Sequence, residues 1–405
     1  MDPSGIRIED YDYPLPDSRI AKYPLAQRDQ SKLLFLNKGK LAEKKFTDLP
    51  GLLPADTFLL FNETRVIQAR LLFKKPTGAH IEIFCLEPLK PVNDFQLAFQ
   101  QQPPVVWKCL VGNARRWKEG RLETKLQIKN QNVRLFAEKK EKLSGAFRIS
   151  FSWEPENIPF ADILESSGLT PLPPYLHREA EETDKTRYQT VYARLNGSVA
   201  APTAGLHFTE NILHQLDEKG LDKDKLILHV GAGTFKPVSS ETIGEHEMHT
   251  EQIRVSLNTL KHIHRSADKM IIPVGTTSMR SLESLFWIAL RTISGKPDPF
   301  YVRQWDPYRL KIPKTFSVRK ALEILIEKLE TERSSVLKAE TQLMIVPGYR
   351  FKFAKGLITN FHQPKSTLLL LVSALIGDKW KEVYDFALRN NFRFLSYGDS
   401  CLFLP

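Results

Sequence analysis

Six short β-type runs follow one another between Arg70 and Trp153 with no helical pattern between them, and they constrain the fold strongly. The runs are RLLFKK, HIEIFCLE, VVWKCLV, LETKLQIK, VRLFAEK and FRISFSW, and several alternate apolar and polar residues with a period of two. Gly, Pro or Asn residues separate most of them, as at residues 76–78 and 130–132. Closely spaced strands of this kind predict a small antiparallel β-barrel or sandwich.

The sequence on either side of this segment has a different pattern. Strand-like runs (KLLFL, TFLLFN, KLILHVG, MIIPVG and QLMIVPG) are accompanied by helical runs (SMRSLESLFWIALRTI, VRKALEILIEKLE and STLLLLVSALIG). Such alternation predicts an α/β layer or barrel. We therefore predict the α/β class, with a barrel-like α/β main domain formed by residues 1–70 and 154–405. An inserted small antiparallel β-barrel domain, residues 71–153, interrupts it.

Positive charge is concentrated in the predicted insert. Between Leu71 and Ser150 there are 15 Lys and Arg residues against 7 Asp and Glu, whereas the whole chain of 405 residues has a net charge of +11. A basic surface favours a polyanionic partner. The alternative is that the lysines of exposed hairpins serve solubility.

The compartment is also suggested by the sequence. Three cysteines, Cys85, Cys109 and Cys401, are widely spaced and fit a reducing environment without disulfides. No secretory signal pattern is present at the N-terminus, and the most apolar run, residues 368–376, is about half the ~20 residues of a membrane span. We expect a cytoplasmic protein without membrane contact.

Polar turns rich in Gly, Thr or Asn follow three of the predicted strands, at residues 231–234, 275–277 and 359–363. Ligands of α/β sheets and barrels bind beyond the carboxyl ends of strands, where such turns meet. Gly275 allows close approach of the backbone to a ligand, and the N–H groups that start the next helix favour a carboxylate or phosphate. Each turn alone is equally explained as a helix cap.

Three histidines and two carboxylates lie in or near such junctions. His207, His229 and His362 are candidates for proton transfer, although a structural histidine is the alternative for each. Asp399 follows a strand and a glycine, and Glu283 lies on the first turns of a helix. Each carboxylate is either a base with a raised pKa or a cap or ion-pair partner.

Familiar cofactor and metal motifs are absent from the sequence. There is no G-x-x-x-x-G-K-[ST] and no G-x-G-x-x-G after a strand. His246 and His249 in EHEMHTE are three residues apart, but they do not form H-E-x-x-H and their spacing indicates no third ligand. We expect no metal.

The junctions together carry a family resemblance. FNETRVIQARL, PLPPYLHRE, DKTRYQTVYA, GSVAAPTAGLHFT, LHVGAGTFKPV, EHEMHTE, VGTTSMRSLES, ITNFHQPKSTLLLLVSALIG and YGDSCLF resemble the S-adenosylmethionine:tRNA ribosyltransferase-isomerases of queuosine biosynthesis. The resemblance begins at YDYPLPDSRIAKYPLAQRDQSKLL and continues to the C-terminus. It departs from the usual family pattern at Glu63, Gln68 and Gln363 and within residues 110–120.

The resemblance implies a fold and a reaction. The family has an α/β-barrel-like main domain with an inserted small β-barrel. Its enzymes transfer the ribosyl part of S-adenosylmethionine to 7-aminomethyl-7-deazaguanine at the tRNA wobble position and rearrange the ribose to an epoxycyclopentane. Adenine and methionine leave, and the product is epoxyqueuosine-tRNA. S-adenosylmethionine is then a co-substrate and not a resident cofactor, and the partner is an anticodon stem-loop with a GUN-type anticodon. A monomer is expected.

The resemblance also suggests roles for residues. The catalytic candidates are His207, Asp399, His229 and His362, with acid and base roles left open. The substrate-binding candidates are Arg280, Gly275, Thr276, Thr277, Asn360, Glu283, Thr203 and Gly205. Among them, Arg280 and the 275–277 turn suit the methionyl carboxylate. The tRNA-binding candidates are Arg115, Arg116, Lys118 and Arg65.

Two other functions remain open at the sequence level. One is a different donor-dependent RNA enzyme, such as a methyltransferase, which would release S-adenosylhomocysteine. The other is a non-catalytic RNA-binding module, for which a basic β insert on an α/β platform would suffice.

Overall fold

The computed structural model describes residues 3–231 and 238–405. The helices are α1 (Leu49–Leu52), α2 (Phe95–Phe99), α3 (Phe160–Ser167), α4 (Asp184–Arg187), α5 (Glu210–Glu218), α6 (Leu257–Arg265), α7 (Thr276–Ile293), α8 (Asp306–Arg309), α9 (Val318–Thr331), α10 (Thr367–Ile376) and α11 (Lys379–Arg389). The strands are β1 (Lys32–Asn37), β2 (Lys40–Lys45), β3 (Thr57–Asn62), β4 (Thr64–Val66), β5 (Arg70–Lys74), β6 (His80–Lys90), β7 (Val105–Gly112), β8 (Leu122–Ile128), β9 (Gln131–Leu143), β10 (Ala146–Glu154), β11 (Gly168–Leu169), β12 (Leu195–Ser198), β13 (Asp222–His229), β14 (Glu251–Ser256), β15 (Met270–Pro273), β16 (Tyr301–Val302), β17 (Val336–Thr341), β18 (Leu357–Asn360) and β19 (Ser400–Leu404). This mixture of helices and strands confirms the predicted α/β class.

A six-stranded mixed sheet lies beside the longest helix. Its order is β15-β3-β13-β14-β17-β16, in which β15, β3 and β13 run parallel and β14 runs antiparallel to both neighbours. Helix α7 packs on this sheet and is buried along nearly all of its length. A helix that is apolar around most of its circumference is stable only when other elements surround it. Helix α7 therefore forms the centre of the largest hydrophobic core.

A four-stranded sheet, β18-β19-β1-β2, meets the six-stranded sheet edge to edge. The junction is a single parallel bridge between Val274 and Ile358, and the N–H of Gly275 donates to the carbonyl of Ile358 over 2.8 Å. Strands β15 and β18 therefore end side by side. The turns that follow them are brought together by this junction.

The six β-type runs between Arg70 and Trp153 form β5 to β10, as predicted. With β11 they make a seven-stranded antiparallel sheet in the order β11-β5-β6-β7-β10-β9-β8. The sheet buries a cluster of its own that includes Trp107, Phe151 and Trp153. The predicted absence of a helix is wrong at α2, which lies between β6 and β7. The Asp94 side chain caps this helix by accepting N–H groups of its first turn.

The strand predicted at QLMIVPG is also wrong. The strand lies one segment earlier, at β17, and residues 342–346 continue as extended chain without a ladder. Leu343 and Ile345 are buried in the main core. Their apolar pattern therefore reflects burial and not strand pairing. Across the part of the chain that the structure describes, no helix combines the length and apolarity needed to cross a membrane.

Candidate active site

A narrow cleft lies where β15 and β18 end. Three turns that contain predicted site residues line it: residues 200–204, 275–277 and 359–363. The other lining residues are Tyr175, Val230, Ser366, Leu368, Leu395 and Ser396. Its volume is about 70 Å³, whereas ligand pockets usually have roughly 300–1,000 Å³. A ligand as large as a nucleoside therefore requires the walls to move apart.

The start of α7 gives the cleft a positive end. Gly275 has φ +91°, a conformation that favours glycine, and the helix begins at the next residue. Thr276 and Thr277 both line the cleft. N–H groups in the first turn of a helix have no acceptor within that helix, and the helix dipole adds a partial positive charge there. This wall suits a carboxylate or another anion.

His362 lines the cleft and is held firmly. Its Nε2 lies 2.8 Å from Oγ1 of Thr359, and its backbone N–H donates to Oη of Tyr384 over 3.0 Å. Burial lowers the pKa of His362 from 6.5 to about 3, so the ring is neutral at physiological pH. Among the described lining residues it is the one imidazole, and none of them is Asp, Glu, Lys or Arg.

His207 lies behind the cleft wall and contacts it through Asn360. The amide nitrogen of Asn360 donates to the carbonyls of Leu395 and Ser396, so its Oδ1 must be the atom that accepts from Nε2 of His207, over 3.2 Å. Nδ1 of His207 is then unprotonated and accepts from Oγ of Ser31, over 2.8 Å. Burial lowers the pKa of His207 to about 4. Both ring nitrogens are therefore occupied, and the ring orients Asn360.

His229 is not among the residues that line the cleft. Its Nδ1 lies 3.2 Å from Oγ1 of Thr64, and its ring centroid lies 5.0 Å from that of Phe95 on α2. Burial lowers its pKa to about 4. Nε2 has no hydrogen-bond partner among the described residues. The structure thus places His229 beneath the short helix of the seven-stranded sheet segment, away from His362.

Arg280 is also outside the cleft lining, because an internal ion pair holds it. It is buried, pairs with Glu251 and donates from Nε to the carbonyl of Leu343 over 3.1 Å. Oε1 of Glu251 lies 3.0 Å from Nε2 of His249. Burial alone would raise the pKa of Glu251, but Arg280 and His249 lower it overall. Glu251 of the EHEMHTE motif is therefore shared between Arg280 and His249.

Glu283 and Asp399 serve as buried anchors for the backbone and do not line the cleft. Glu283 accepts from Oη of Tyr349 (2.8 Å) and from three successive N–H groups, at residues 352–354 (2.8–3.0 Å). Asp399 accepts the N–H groups of Lys32 (3.0 Å) and Arg393 (2.7 Å). Burial raises the pKa of both carboxyl groups. Asp399 also pairs with Arg393 at 3.7 Å, which is the ion-pair alternative, whereas Glu283 holds a loop and not a helix end.

The run of small residues in GSVAAPTAGLHFT has two functions in the structure. Thr203 lines the cleft, as expected, but Gly205 lies behind it. A Cβ at Gly205 would collide with Oη of Tyr192 and approach Cγ2 of Thr190 to 2.8 Å. The absent side chain at position 205 therefore makes room for a buried tyrosine.

Sequence reasoning missed part of the wall. Tyr175 and Ser396 line the cleft, and their hydroxyl oxygens are 2.6 Å apart. Burial raises the pKa of Tyr175 to about 12. Tyr175 belongs to the PLPPYLHRE motif of the family resemblance, and Ser396 immediately precedes the YGDSCLF motif, so the resemblance was the available signal. The predicted turn at residues 231–234 is described only at Gly231, because residues 232–234 lie outside the described residues.

The predicted RNA contacts are on the surface. Arg115, Arg116 and Lys118 are exposed around a one-turn helix after β7, and the neighbouring Trp117 is buried and fixes this turn. Arg65 is exposed beside a separate pocket of about 210 Å³. These four side chains do not lie at the cleft.

A larger groove of about 630 Å³ lies between the Asp94 corner and the open face of β14 and β17. None of the predicted site residues lines it. Its cations Arg254 and Lys338 both pair with Asp94, at 3.3 and 3.1 Å. The smaller cleft is the better candidate for the active site, because the polar turns at residues 275–277 and 359–363 line it. Within residues 3–231 and 238–405, no group of three His, Cys, Asp or Glu side chains is placed to hold a metal ion.

These features are those of a cleft enzyme, and comparison with known proteins defines the class. The chain belongs to the family described as queuosine biosynthesis protein, whose model matches residues 8–403. The family resemblance found in the sequence motifs is therefore confirmed.

Individual relatives extend over the whole chain. A protein of Aromatoleum aromaticum named S-adenosylmethionine:tRNA ribosyltransferase-isomerase is 38% identical over 98% of this chain and 97% of its own. One of Halothermothrix orenii with the same name is 36% identical over 98% of this chain and 100% of its own. A crystal structure of S-adenosylmethionine tRNA ribosyltransferase from Thermotoga maritima is 26% identical, with a TM-score of 0.46 over 97% of this chain and 99% of that one.

The packing of Gly205 gives a stability prediction. We expect Gly205→Ala to lower the free energy of unfolding by about 1–3 kcal/mol, because the new methyl group overpacks the Tyr192 contact. Gly51→Ala is the matched control: a Cβ there meets no atom within 4 Å, and the variant should keep wild-type stability. Urea unfolding measures both variants. Equal stability of the two would show that position 205 has space for a side chain.

Proposed function

We propose that this protein transfers the ribosyl part of S-adenosylmethionine to 7-aminomethyl-7-deazaguanine at the wobble position of tRNA and isomerises it. The products are epoxyqueuosine-tRNA, adenine and methionine. The prediction of a queuosine-pathway enzyme is confirmed by the family and by the names of its relatives. The observation that carries the specific reaction is the identity to those relatives over 98% of the chain.

The chemistry needs one proton to be moved twice, from C5′ of the donor and then to adenine. His362 is the one imidazole of the described lining that can carry it, and a pKa lowered to about 3 makes its ring a weak base but its imidazolium a strong acid. The sulfonium of the donor acidifies the adjacent C5′–H, and the neutral ring of His362 accepts that proton. Adenine then leaves with the electron pair of its glycosidic bond and takes up a proton. Because burial lowers the pKa of His362 to about 3, its imidazolium is a strong acid that gives the proton to the departing adenine. The histidine ends in its original neutral form.

The walls of the cleft suit the parts of the donor. The first-turn N–H groups at Thr276 and Thr277 provide a site for the methionyl carboxylate. Ala200, Ala201 and Ala204 leave a smooth surface against which a flat ring packs. The deazaguanine must leave the anticodon stack to reach this depth, as in other enzymes that act on a base. Asn360, whose amide is oriented by His207, forms a fixed part of the cleft wall beside the deazaguanine.

The division of the chain into two domains is part of the same proposal. Residues 71–153 form the inserted small β-barrel domain, and residues 1–70 and 154–405 form the catalytic domain. The separate hydrophobic cluster of the seven-stranded sheet, with Trp107 and Trp153 inside it, supports a distinct unit, and the cluster also includes Phe160 and Leu164 of α3. We also propose a cytoplasmic monomer without a resident metal or cofactor, acting on anticodon stem-loops of the GUN type.

One assay separates this function from the alternatives. The protein is mixed with S-adenosylmethionine and an anticodon stem-loop that carries 7-aminomethyl-7-deazaguanine. We expect equimolar adenine and methionine, and none with guanine at that position. His362→Gln should lower kcat by about 100-fold or more, because one group serves as base and acid. Release of S-adenosylhomocysteine indicates a methyltransferase instead, and tight RNA binding without turnover indicates a binding module.

His207 is predicted to position Asn360 without moving a proton. In His207→Gln, the amide nitrogen falls near the former Nε2 and can still donate to Oδ1 of Asn360, so kcat should stay within about fivefold. In His207→Asn, the shorter side chain falls near Nδ1, and loss of the bond should lower kcat about 10- to 100-fold. The pH dependence of kcat should be unchanged in both. A shifted pH profile, or equal defects in the two variants, would contradict the positioning role.

The basic insert is predicted to contact the tRNA backbone. Reversal of charge at Arg115, Arg116 and Lys118 should weaken tRNA binding and flatten its dependence on salt, because fewer counterions are released. Affinity for S-adenosylmethionine should not change. The control reverses Lys40, Lys44 and Lys45, three exposed lysines of β2. Filter binding at several salt concentrations measures both sets, and equal effects of the two would assign the result to net charge alone.

A further inference from the structure

Tyr23 is an exposed aromatic residue that is already held in place. Its side chain is 52% exposed, although large apolar and aromatic side chains are usually covered. Its hydroxyl donates to Oε1 of Glu181 over 2.9 Å, at the edge of the ring. The guanidinium carbon of Arg178 lies 4.3 Å from the ring centroid. One face of the ring is thus supported from below, while much of the ring remains open to solvent.

A layer of side chains connects Tyr23 to the wall of the cleft. The Arg178 guanidinium carbon lies 6.0 Å from the ring centroid of Tyr397, on the residue that follows the cleft-lining Ser396. Asp184 holds both, accepting from two nitrogens of Arg178 at 2.7 Å each and from Oη of Tyr397 at 2.9 Å. Tyr23 therefore lies one guanidinium layer outside Tyr397, whose neighbour in sequence, Ser396, lines the cleft.

The backbone that carries Tyr23 is held by three arginines. Arg178 donates from Nε to the carbonyl of Lys22 over 2.8 Å, and Arg187 donates to the carbonyl of Ala26 over 3.1 Å. Arg393 donates to the carbonyl of Tyr23 itself over 3.5 Å. A loop ordered in this way loses little conformational freedom when a ligand binds. Asp184 and Asp399 offset the charges of Arg178 and Arg393, so among these three arginines Arg187 is the one without a carboxylate within 4 Å in the described part of the chain.

We propose that Tyr23 is the stacking platform for a nucleobase of the RNA substrate, next in the strand to the base that enters the cleft. This rests on the proposed function. Removal of one base from the anticodon stack leaves its neighbours exposed, and proteins that bind single-stranded RNA stack such bases on aromatic rings. The open ring face accepts a flat base of any sequence, while Arg187 attracts the backbone. Glu181 lies at the hydroxyl edge and leaves that face free.

The first test measures binding of a fluorescent anticodon stem-loop in the absence of S-adenosylmethionine. We expect Tyr23→Leu to raise Kd about tenfold, because a branched aliphatic side chain cannot stack. Tyr23→Phe and Tyr23→Trp should stay within about twofold of wild type. Ile293→Ala, at an exposed apolar side chain on the last residue of α7, is the control and should bind as wild type does. Wild-type affinity in Tyr23→Leu would overturn the proposal.

The second test identifies the nucleobase that stacks on Tyr23. Stem-loops with one abasic site at each loop position are bound to wild type and to Tyr23→Leu. We expect one position, adjacent to the wobble base, at which the abasic site weakens wild type about tenfold and leaves Tyr23→Leu unaffected. Additive losses at every position would overturn stacking on Tyr23.

Adenine release by wild type, measured in parallel, separates the two proposals. If wild type releases adenine and Tyr23→Leu binds RNA normally, the stacking platform is rejected and the proposed reaction is retained. A position-specific loss of binding without any adenine release rejects the reaction and keeps the platform.

Discussion

The candidate site depends on the place where two sheets meet edge to edge. A single bridge, Val274 to Ile358, joins the six-stranded and four-stranded sheets, and the N–H of Gly275 continues it by one hydrogen bond. The carboxyl ends of β15 and β18 are thereby adjacent. Without this junction the first turn of α7 and the residues around His362 would belong to separate surfaces. Because φ at Gly275 is +91°, the chain can leave this bridge and enter the helix within one residue.

Burial determines the chemistry of the histidines more than their position in motifs does. His207, His229 and His362 all have their pKa lowered by removal from water, yet only His362 reaches the described cleft lining. Their hydrogen bonds distinguish them. The amide of Asn360 determines which nitrogen of His207 carries the proton, whereas the Thr359 hydroxyl leaves either role open for His362. A histidine at such a junction thus becomes an orienting group when both of its nitrogens are engaged.

Periodicity and composition were sufficient for the secondary structure where strands and helices bury one face in a regular way. The six strands from β5 to β10 are an example. They failed at residues 342–346, where the apolar residues are buried in the core outside any strand, although the N–H groups of Gln342 and Met344 donate to the carbonyls of Val302 and Gln304. The turns at residues 275–277 and 359–363 could be grouped from sequence because they follow predicted strands, whereas residues 200–204 follow β12, a strand absent from the predicted set. The buried carboxylates could not be assigned, because an anchor such as Glu283 and a base in a closed cleft both sit in apolar surroundings. The three N–H groups that Glu283 accepts come from a loop about 70 residues later, which no local pattern reveals.

The described cleft lining contains no formally charged side chain, and this affects how a sulfonium is bound. A carboxylate beside the sulfur would stabilise the cation in the ground state and weaken its pull on the neighbouring C–H bond. In a lining of alanines, hydroxyls and amides, the positive charge keeps its full effect on that bond.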